Sequence, residues 1–411
     1  MNMVYIGRMF RVAGLSCLLM TALSPARAQV QGPVQDAPAE VSGDLQFGLD
    51  LLARHVAESG NIFFSPFSVT VALEMAYEGA RGKTAEEMHA VLHLGKDDVM
   101  RRAITRDRIN WVNAVDLPYT LSVANALWMQ KGYGVVDSYK KVLHDVYKAT
   151  AQELDLASDS EGSRVTINAW VEEQTRQRIR ELIPAGGIAP QTRLVLTNAV
   201  YFKGKWEVPF EKDQTRPEAF RLATGNTVQV AMMHTVRPAL YMEDDTRQMV
   251  ELPYVGESLV MRIIVPKTDA GAFVNNLDAA TFAASVAALH LEENVDLALP
   301  KFAFGAFYSL RDDLVALGMA EAFSQERSDF SGITGMKDLY IGDVFHKAWI
   351  EVGEEGTEAA AATAVMILSG GMPSEPPPPK VMRADHPFIV IIQQRFSGQI
   401  LFMGRIADPT K

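Results

Sequence analysis

The order of its apolar patterns constrains this chain most. In the first half, apolar residues recur at helical spacing; Leu45, Leu49, Leu52 and Val56 fall on one helical face. In the second half they crowd into short runs. These are "LVLTNAVYF" (194–202), "VQVAMM" (228–233), "LVMRIIVP" (259–266), "VDLALPKF" (295–302) and "PFIVIIQQRFSGQILFMGRI" (387–406). Each reads as a strand, and the last reads as a hairpin turning at Ser397-Gly398. Helices followed by strands, with no linker between, give one α+β domain rather than an alternating α/β fold or two domains. Two helix starts are legible. Ser65 before Pro66 is an N-cap with proline in the first helical position. Thr84 with Glu87 reads as a capping box.

The N-terminus reads differently. Arg8 and Arg11 precede an apolar run, Val12 to Leu23, and then Ala26-Arg27-Ala28. That pattern is a secretory signal over residues 1–28, followed by a polar Pro/Gly/Ala linker over 29–43, with order starting at Asp44. The expected location is secreted or periplasmic. The apolar run is too short to span a membrane, and no membrane partner is expected. The single cysteine, Cys17, lies inside the signal, so no disulfide framework is expected. A lipid anchor at Cys17 fits poorly, because apolar residues continue past it. Removing the signal removes three arginines and no acid, which takes the net charge from −11 to −14. An acidic chain of this kind is a poor partner for nucleic acid. The absence of an N-x-S/T sequon favours a bacterial source.

Several motifs fail on inspection. "GARGKT" (79–84) resembles a phosphate loop, but the position requiring the first glycine is Tyr77, and a helix-to-helix turn accounts for it. His89 and His93 have zinc-ligand spacing but no third ligand nearby, so two surface histidines are expected and no metal or cofactor. No G-x-S-x-G elbow and no catalytic cysteine exist, so no enzyme activity is expected. Arg101, Arg102, Arg106 and Arg108 form a local basic patch. It reads as a solvated helix face balanced by Asp97, Asp98 and Asp107, with polyanion binding disfavoured.

One stretch resists a local reading. "EEGTEAAAATAVMIL" (354–368) has helix-forming composition, yet Gly356 and Thr357 interrupt its start and "SGGMPSEPPPPK" follows. Together with "NIFFSPFSVTVALEMAYEGARGKTAEEM", "LTNAVYFKGKWEVPF", "VFHKAWIEVGEEGTEAAAATAV" and "ADHPFIVIIQQRFSGQILFMGRIADP", it resembles the serpin superfamily, in the family's order, from about residue 44 to the C-terminus. The resemblance implies three β-sheets with eight or nine helices and a single domain over 44–411. It also implies an exposed reactive loop, about 354–384, that a target protease cleaves. The cleaved loop then inserts as a central strand, trapping the protease as a covalent acyl complex.

Under that resemblance the hinge is Glu354, Gly356, Thr357, Glu358, Ala359, Ala360, Ala361 and Ala362. With Thr357 as the first inward residue, the inward set is Thr357, Ala359, Ala361, Thr363, Val365 and Ile367: small, then apolar, and uncharged. No proline interrupts Gly356 to Met372, so every N–H can join a ladder. Ser65, Ser68, Asn198 and His346 match the family's polar cluster where the sheet opens, and Trp206 matches its upper-sheet tryptophan. A satisfied core residue is the competing reading of each. The family count from Glu354 lands on Gly370–Gly371, with Ser369–Gly370, Leu368 or Met372 as alternatives, because the stretch containing "PSEPPPP" is longer than usual. No Lys or Arg lies between Glu354 and Lys380, which disfavours a trypsin-like target. Elastase-, subtilisin- or chymotrypsin-like serine proteases fit better, then papain-like cysteine proteases. A non-inhibitory binding or chaperone-like member is the alternative. A monomer is expected.

Overall fold

Residues 39–114, 117–149, 151–357 and 378–411 are described by the structure, a computed structural model. The described residues lie within one compact unit, Pro33–Lys411. The helix-rich half comprises α1 (Ala39–His55), β1 (Ile62–Phe64), α2 (Pro66–Tyr77), α3 (Gly82–Val91), α4 (Asp98–Val112), β2 (Tyr119–Gln130), α5 (Asp137–Tyr147), β3 (Ala151–Leu154) and α6 (Ser160–Gln174). The strand-rich half continues with β4 (Leu194–Lys205), β5 (Arg216–Arg221), β6 (Thr227–Glu243), β7 (Arg247–Pro253), β8 (Leu259–Pro266), α7 (Ala270–Asn275), α8 (Ala279–Ala287), β9 (His290–Pro300), β10 (Phe302–Ser309), α9 (Arg311–Leu317) and α10 (Ser331–Thr334). It closes with β11 (Ile341–Gly353), β12 (Gly356–Thr357), β13 (Lys380–Arg383), β14 (Phe388–Gln394) and β15 (Ile400–Ile406).

The α+β class is as expected. Order begins earlier than Asp44: α1 starts at Ala39, inside the segment read as linker. Ten α-helices occur among the described residues, against eight or nine expected, and the extra one is a four-residue turn, α10. Among the described residues the strands form two continuous hydrogen-bonded sheets, where three were expected. The reason is β6, which bonds β5 over Thr227–Met232, β9 over Met232–Tyr241 and β7 over Leu240–Glu243, with a bulge between Arg237 and Ala239. The bulge bends the strand so that one ladder runs through what would otherwise be two sheets. The second sheet has the order β10-β11-β12-β4-β2-β3. "VDLALPKF" is also not one strand. It breaks at Lys301 between β9 and β10, which belong to different sheets.

Helix α2 is the central post. Ser65 caps it, its Oγ accepting from the Ser68 N–H at 3.2 Å, and Pro66 takes the first turn as expected. All residues from Pro66 to Ala76 are buried, and the helix packs against β2, β4 and β15. The expected capping box at Thr84 and Glu87 is absent. Helix α3 begins at Gly82, so these side chains point elsewhere: Thr84 Oγ1 accepts from the Asp329 N–H and Glu87 from the Glu321 N–H.

The basic patch on α4 is not a solvated face. Arg101 is fully buried and Arg108 nearly so. Arg101 lies 2.8 Å from Glu78 and 3.5 Å from Glu74, and its guanidinium covers the Tyr77 ring. Arg102 bonds both Glu78 oxygens, and Arg108 pairs with Asp44 on α1. Arg106 alone of the four projects outward, beside Asp107. Arg101, Thr105 and Arg108 fall on one helical stripe, and it faces Glu74 of α2 and Glu78, which caps the end of α2. A polar stripe that meets a complementary one is buried, which charge counting on one helix cannot reveal. Replacing Arg101 with Met leaves the buried Glu74 carboxyl without its arginine and strips Glu78 of one of its two. The expected loss is about 3–5 kcal/mol, read as a lower urea midpoint, whereas Arg106→Met should leave the midpoint unchanged.

Candidate functional site

The site is a seam in the six-stranded sheet. Strands β11 and β4 pair in parallel from Ile341/Leu194 to Trp349/Tyr201. Above that point they diverge, and β12 lies between them. The chain leaves β11 at Gly353, turns at Glu354 and Glu355, and returns antiparallel to both neighbours. Gly356 lies opposite Gly353 and Lys205, and Thr357 opposite Val352 and Gly204. Thr357 is fully buried and faces inward.

Backbone geometry explains the glycine. Gly356 has φ 147°, and a Cβ there would come 2.1 Å from the Gly204 carbonyl oxygen. Only glycine adopts this conformation and this approach without strain. The turn is held by its flanks. Trp206 Nε1 donates to the Gly353 carbonyl at 3.0 Å, and the Trp206 and Phe210 N–H groups donate to Glu355 and Glu354. Trp206 thus braces the turn between β11 and β12 directly. Glu354 accepts from Thr215 Oγ1 at 3.0 Å and pairs with Lys301 at 2.8 Å; Glu355 pairs with Lys212 at 2.6 Å. Burial alone would raise the Glu354 carboxyl, but Lys301 and Thr215 outweigh it and hold it below the usual range.

Lower in the seam, the structure brings Ser65, Ser68, Asn198 and His346 together. His346 and Asn198 are register partners across β11 and β4. The Ser65 N–H donates to His346 Nε2 at 3.1 Å. The imidazole is therefore the neutral Nδ1–H tautomer, and Nδ1 bonds Asn198 Oδ1. Asn198 Nδ2 reaches Ser68 Oγ and Asn125 Oδ1, and Ser68 Oγ donates to Asn125 at 2.9 Å. Asn125, from the centre of β2, completes the cluster and was not foreseen. An amide inside "YTLSVANALWMQ" was its only signal. Tyr254, Thr215 and Lys301 are also unforeseen, because each reaches the hinge from a distant segment.

Of the remaining expected residues, Glu358, Ala359, Ala360, Ala361 and Ala362 of the hinge, and Leu368, Ser369, Gly370, Gly371 and Met372 at the bond, lie outside the described residues, as does the signal. His89 bonds the Gly95 carbonyl and His93 bonds Asp50.

A family model described as "Serpin (serine protease inhibitor)" matches residues 42–409. The chain belongs to the serpin family. It is 45% identical to an uncharacterized serpin-like protein of Thermococcus kodakarensis, over 88% of this chain and 84% of that one. It is 37% identical to the leukocyte elastase inhibitor of Bos taurus, over 90% and 99%. Among solved structures, human thyroxine-binding globulin matches with a TM-score of 0.80 at 28% identity, over 90% of this chain and 99% of that one. The fold is the serpin fold, and protease inhibition is the activity its family model describes.

The cluster predicts an acid response. Burial pushes the His346 imidazole from 6.5 down to about 3. Between these values the unfolded chain binds a proton that the folded chain excludes, so this histidine subtracts stability as pH falls below about 6.5. Relative to His346→Gln, the parent should lose thermal stability progressively from pH 7 to pH 4.5. Melting curves that differ by the same amount at every pH would exclude the assignment.

Proposed function

We propose that this chain is a suicide inhibitor of serine proteases that traps its target by inserting its cleaved loop into the seam between β11 and β4. One observation carries the reading: Gly356 and Thr357 already lie in the slot, in a register that the rest of the hinge suits. Continued along the two strands, that register would set Ala359 between Ile350 and Phe202, and Ala361 between Ala348 and Val200. Thr363 would fall between His346 and Asn198, and Val365 between Val344 and Leu196. Small residues would meet apolar walls, and the one inward hydroxyl after Thr357 would meet the polar pair. Opening the seam separates His346 from Asn198, and a threonine arriving there could replace the lost hydrogen bonds, so no buried group would be orphaned.

The energetics favour the reading. Insertion breaks one parallel ladder and forms two antiparallel ones, a net gain of one. A gain of about a dozen hydrogen bonds at ~1 kcal/mol net is on the order of 10 kcal/mol, comparable to the stability of an ordinary domain. The uncleaved chain would then persist for kinetic reasons. An acyl-enzyme dragged by the loop loses its near-attack geometry, and a displacement of about 1 Å costs on the order of a hundredfold in rate. The scissile bond in this reading is Gly370–Gly371 or a neighbour, and the target is elastase-, subtilisin- or chymotrypsin-like. Residues 1–28 would export the chain to the periplasm or the medium.

Incubation with a panel of these proteases should give a covalent complex that survives denaturing electrophoresis. The nicked, still-associated inhibitor should melt well above the intact chain. Cleavage near Gly370 with no complex and no gain in melting temperature would favour a non-inhibitory binding role.

Thr357→Arg forces a charge into a fully buried slot, where desolvation is costly. The variant is expected to be cleaved at the same bond and to release active protease. Trapping at the parent's efficiency would remove Thr357 from the insertion path.

A further inference from the structure

One contact to Thr357 comes from a segment distant in sequence. Tyr254 follows β7 and is fully buried. Its hydroxyl lies 2.7 Å from Thr357 Oγ1. Neither group is reached by water, so each hydroxyl depends on a partner inside the protein.

The ring is held rigidly. It stacks on Trp206 at 4.7 Å with a 20° tilt and meets the Phe202 ring edge-on at 5.0 Å. A backbone bridge between Trp206 and Tyr254 ties the end of β4 to the end of β7. Gly204 leaves the space: a Cβ there would come 2.8 Å from Tyr254 Cδ1. The hydroxyl is therefore fixed by groups belonging to both sheets, and it points at the first side chain of the hinge that enters the slot.

We propose that Tyr254 is a positioning residue for loop insertion: its hydroxyl binds the Thr357 side chain and keeps Gly356–Thr357 seated between β11 and β4 before any protease arrives. The proposal rests on the inhibitory reading for its consequence, but the seating itself does not require a protease. A hinge already in register begins insertion with its nucleus formed. Insertion then competes better with hydrolysis of the acyl-enzyme, and fewer inhibitor molecules are spent per protease trapped. The requirement at position 357 becomes specific: a small side chain with a hydroxyl, not merely a small uncharged one.

The test uses the full chain and four variants: Tyr254→Phe, Thr357→Val, Thr357→Ser and the double variant Tyr254→Phe/Thr357→Val. Hydrogen exchange of the Gly356 and Thr357 amides, followed by mass spectrometry without protease, reads the seating. Each of the first two strands one buried hydroxyl, so exchange should quicken by on the order of tenfold. Thr357→Ser keeps the partner and should exchange as the parent does. In the double variant both hydroxyls are gone, and protection should largely return. The stoichiometry of inhibition should follow the same order. Parent-like exchange in both single variants, or a double variant that exchanges as fast as the singles combined, would overturn the latch. If Tyr254→Phe does not fold, the contrast between Thr357→Val and Thr357→Ser still decides. A parent that traps no protease refutes the inhibitory reading and leaves the exchange result standing. A parent that traps normally while all variants exchange alike refutes the latch alone.

Discussion

Everything distinctive about this molecule depends on the parallel ladder between β11 and β4. Two long strands, Ile341–Gly353 and Leu194–Lys205, lie side by side along their lower parts and part at their upper ends. A closed sheet would leave no room for another strand, and an open one would expose two rows of unpaired backbone groups. The divergence above Trp349 and Tyr201 avoids both outcomes, because the chain's own return, Gly356–Thr357, caps the opening. The hinge turn, the tryptophan and the ion pairs of Glu354 and Glu355 all secure that cap.

Much of this was legible in the sequence. Runs such as "LVMRIIVP" coincide with strands because a strand buried on both faces needs continuous apolar residues, and β8 spans that run end to end. Ser65-Pro66 marked the start of α2 because capping chemistry is local. Thr357 was set at the head of the inward face by the family resemblance, and period-two alternation only spaced the residues after it. What escaped was anything decided by a partner on another segment. The arginines of α4 look exposed until α2 is seen to carry Glu74 and Glu78 toward them. Thr84 and Glu87 have capping-box spacing but serve backbone groups near Asp329 and Glu321. Three sheets become two because a bulge in β6 bends one strand across both ladders. Asn125 and Tyr254 were invisible as site residues, since the groups they bond lie far away in sequence.

The buried charges have a clear mechanical place. Helix α2 is joined to α4 by Glu78 with Arg101 and Arg102, and to α5 by the Tyr139 hydroxyl, which donates to the Met75 carbonyl at 2.8 Å. A post fixed at its far end gives β2, β4 and β15 a rigid surface to pack on.

The polar cluster divides unevenly along the seam. Ser68 on α2, Asn125 on β2 and Asn198 on β4 bond one another and sit on one bank. His346 stands alone on the other, with Tyr308 of β10 stacked on its ring at 6.1 Å. Ser65 spends its hydroxyl on the helix cap and only its N–H on the histidine. Under the proposed insertion the seam would open between His346 and Asn198. The three-residue knot would stay tied, and the partner lost would be the one at the imidazole Nδ1.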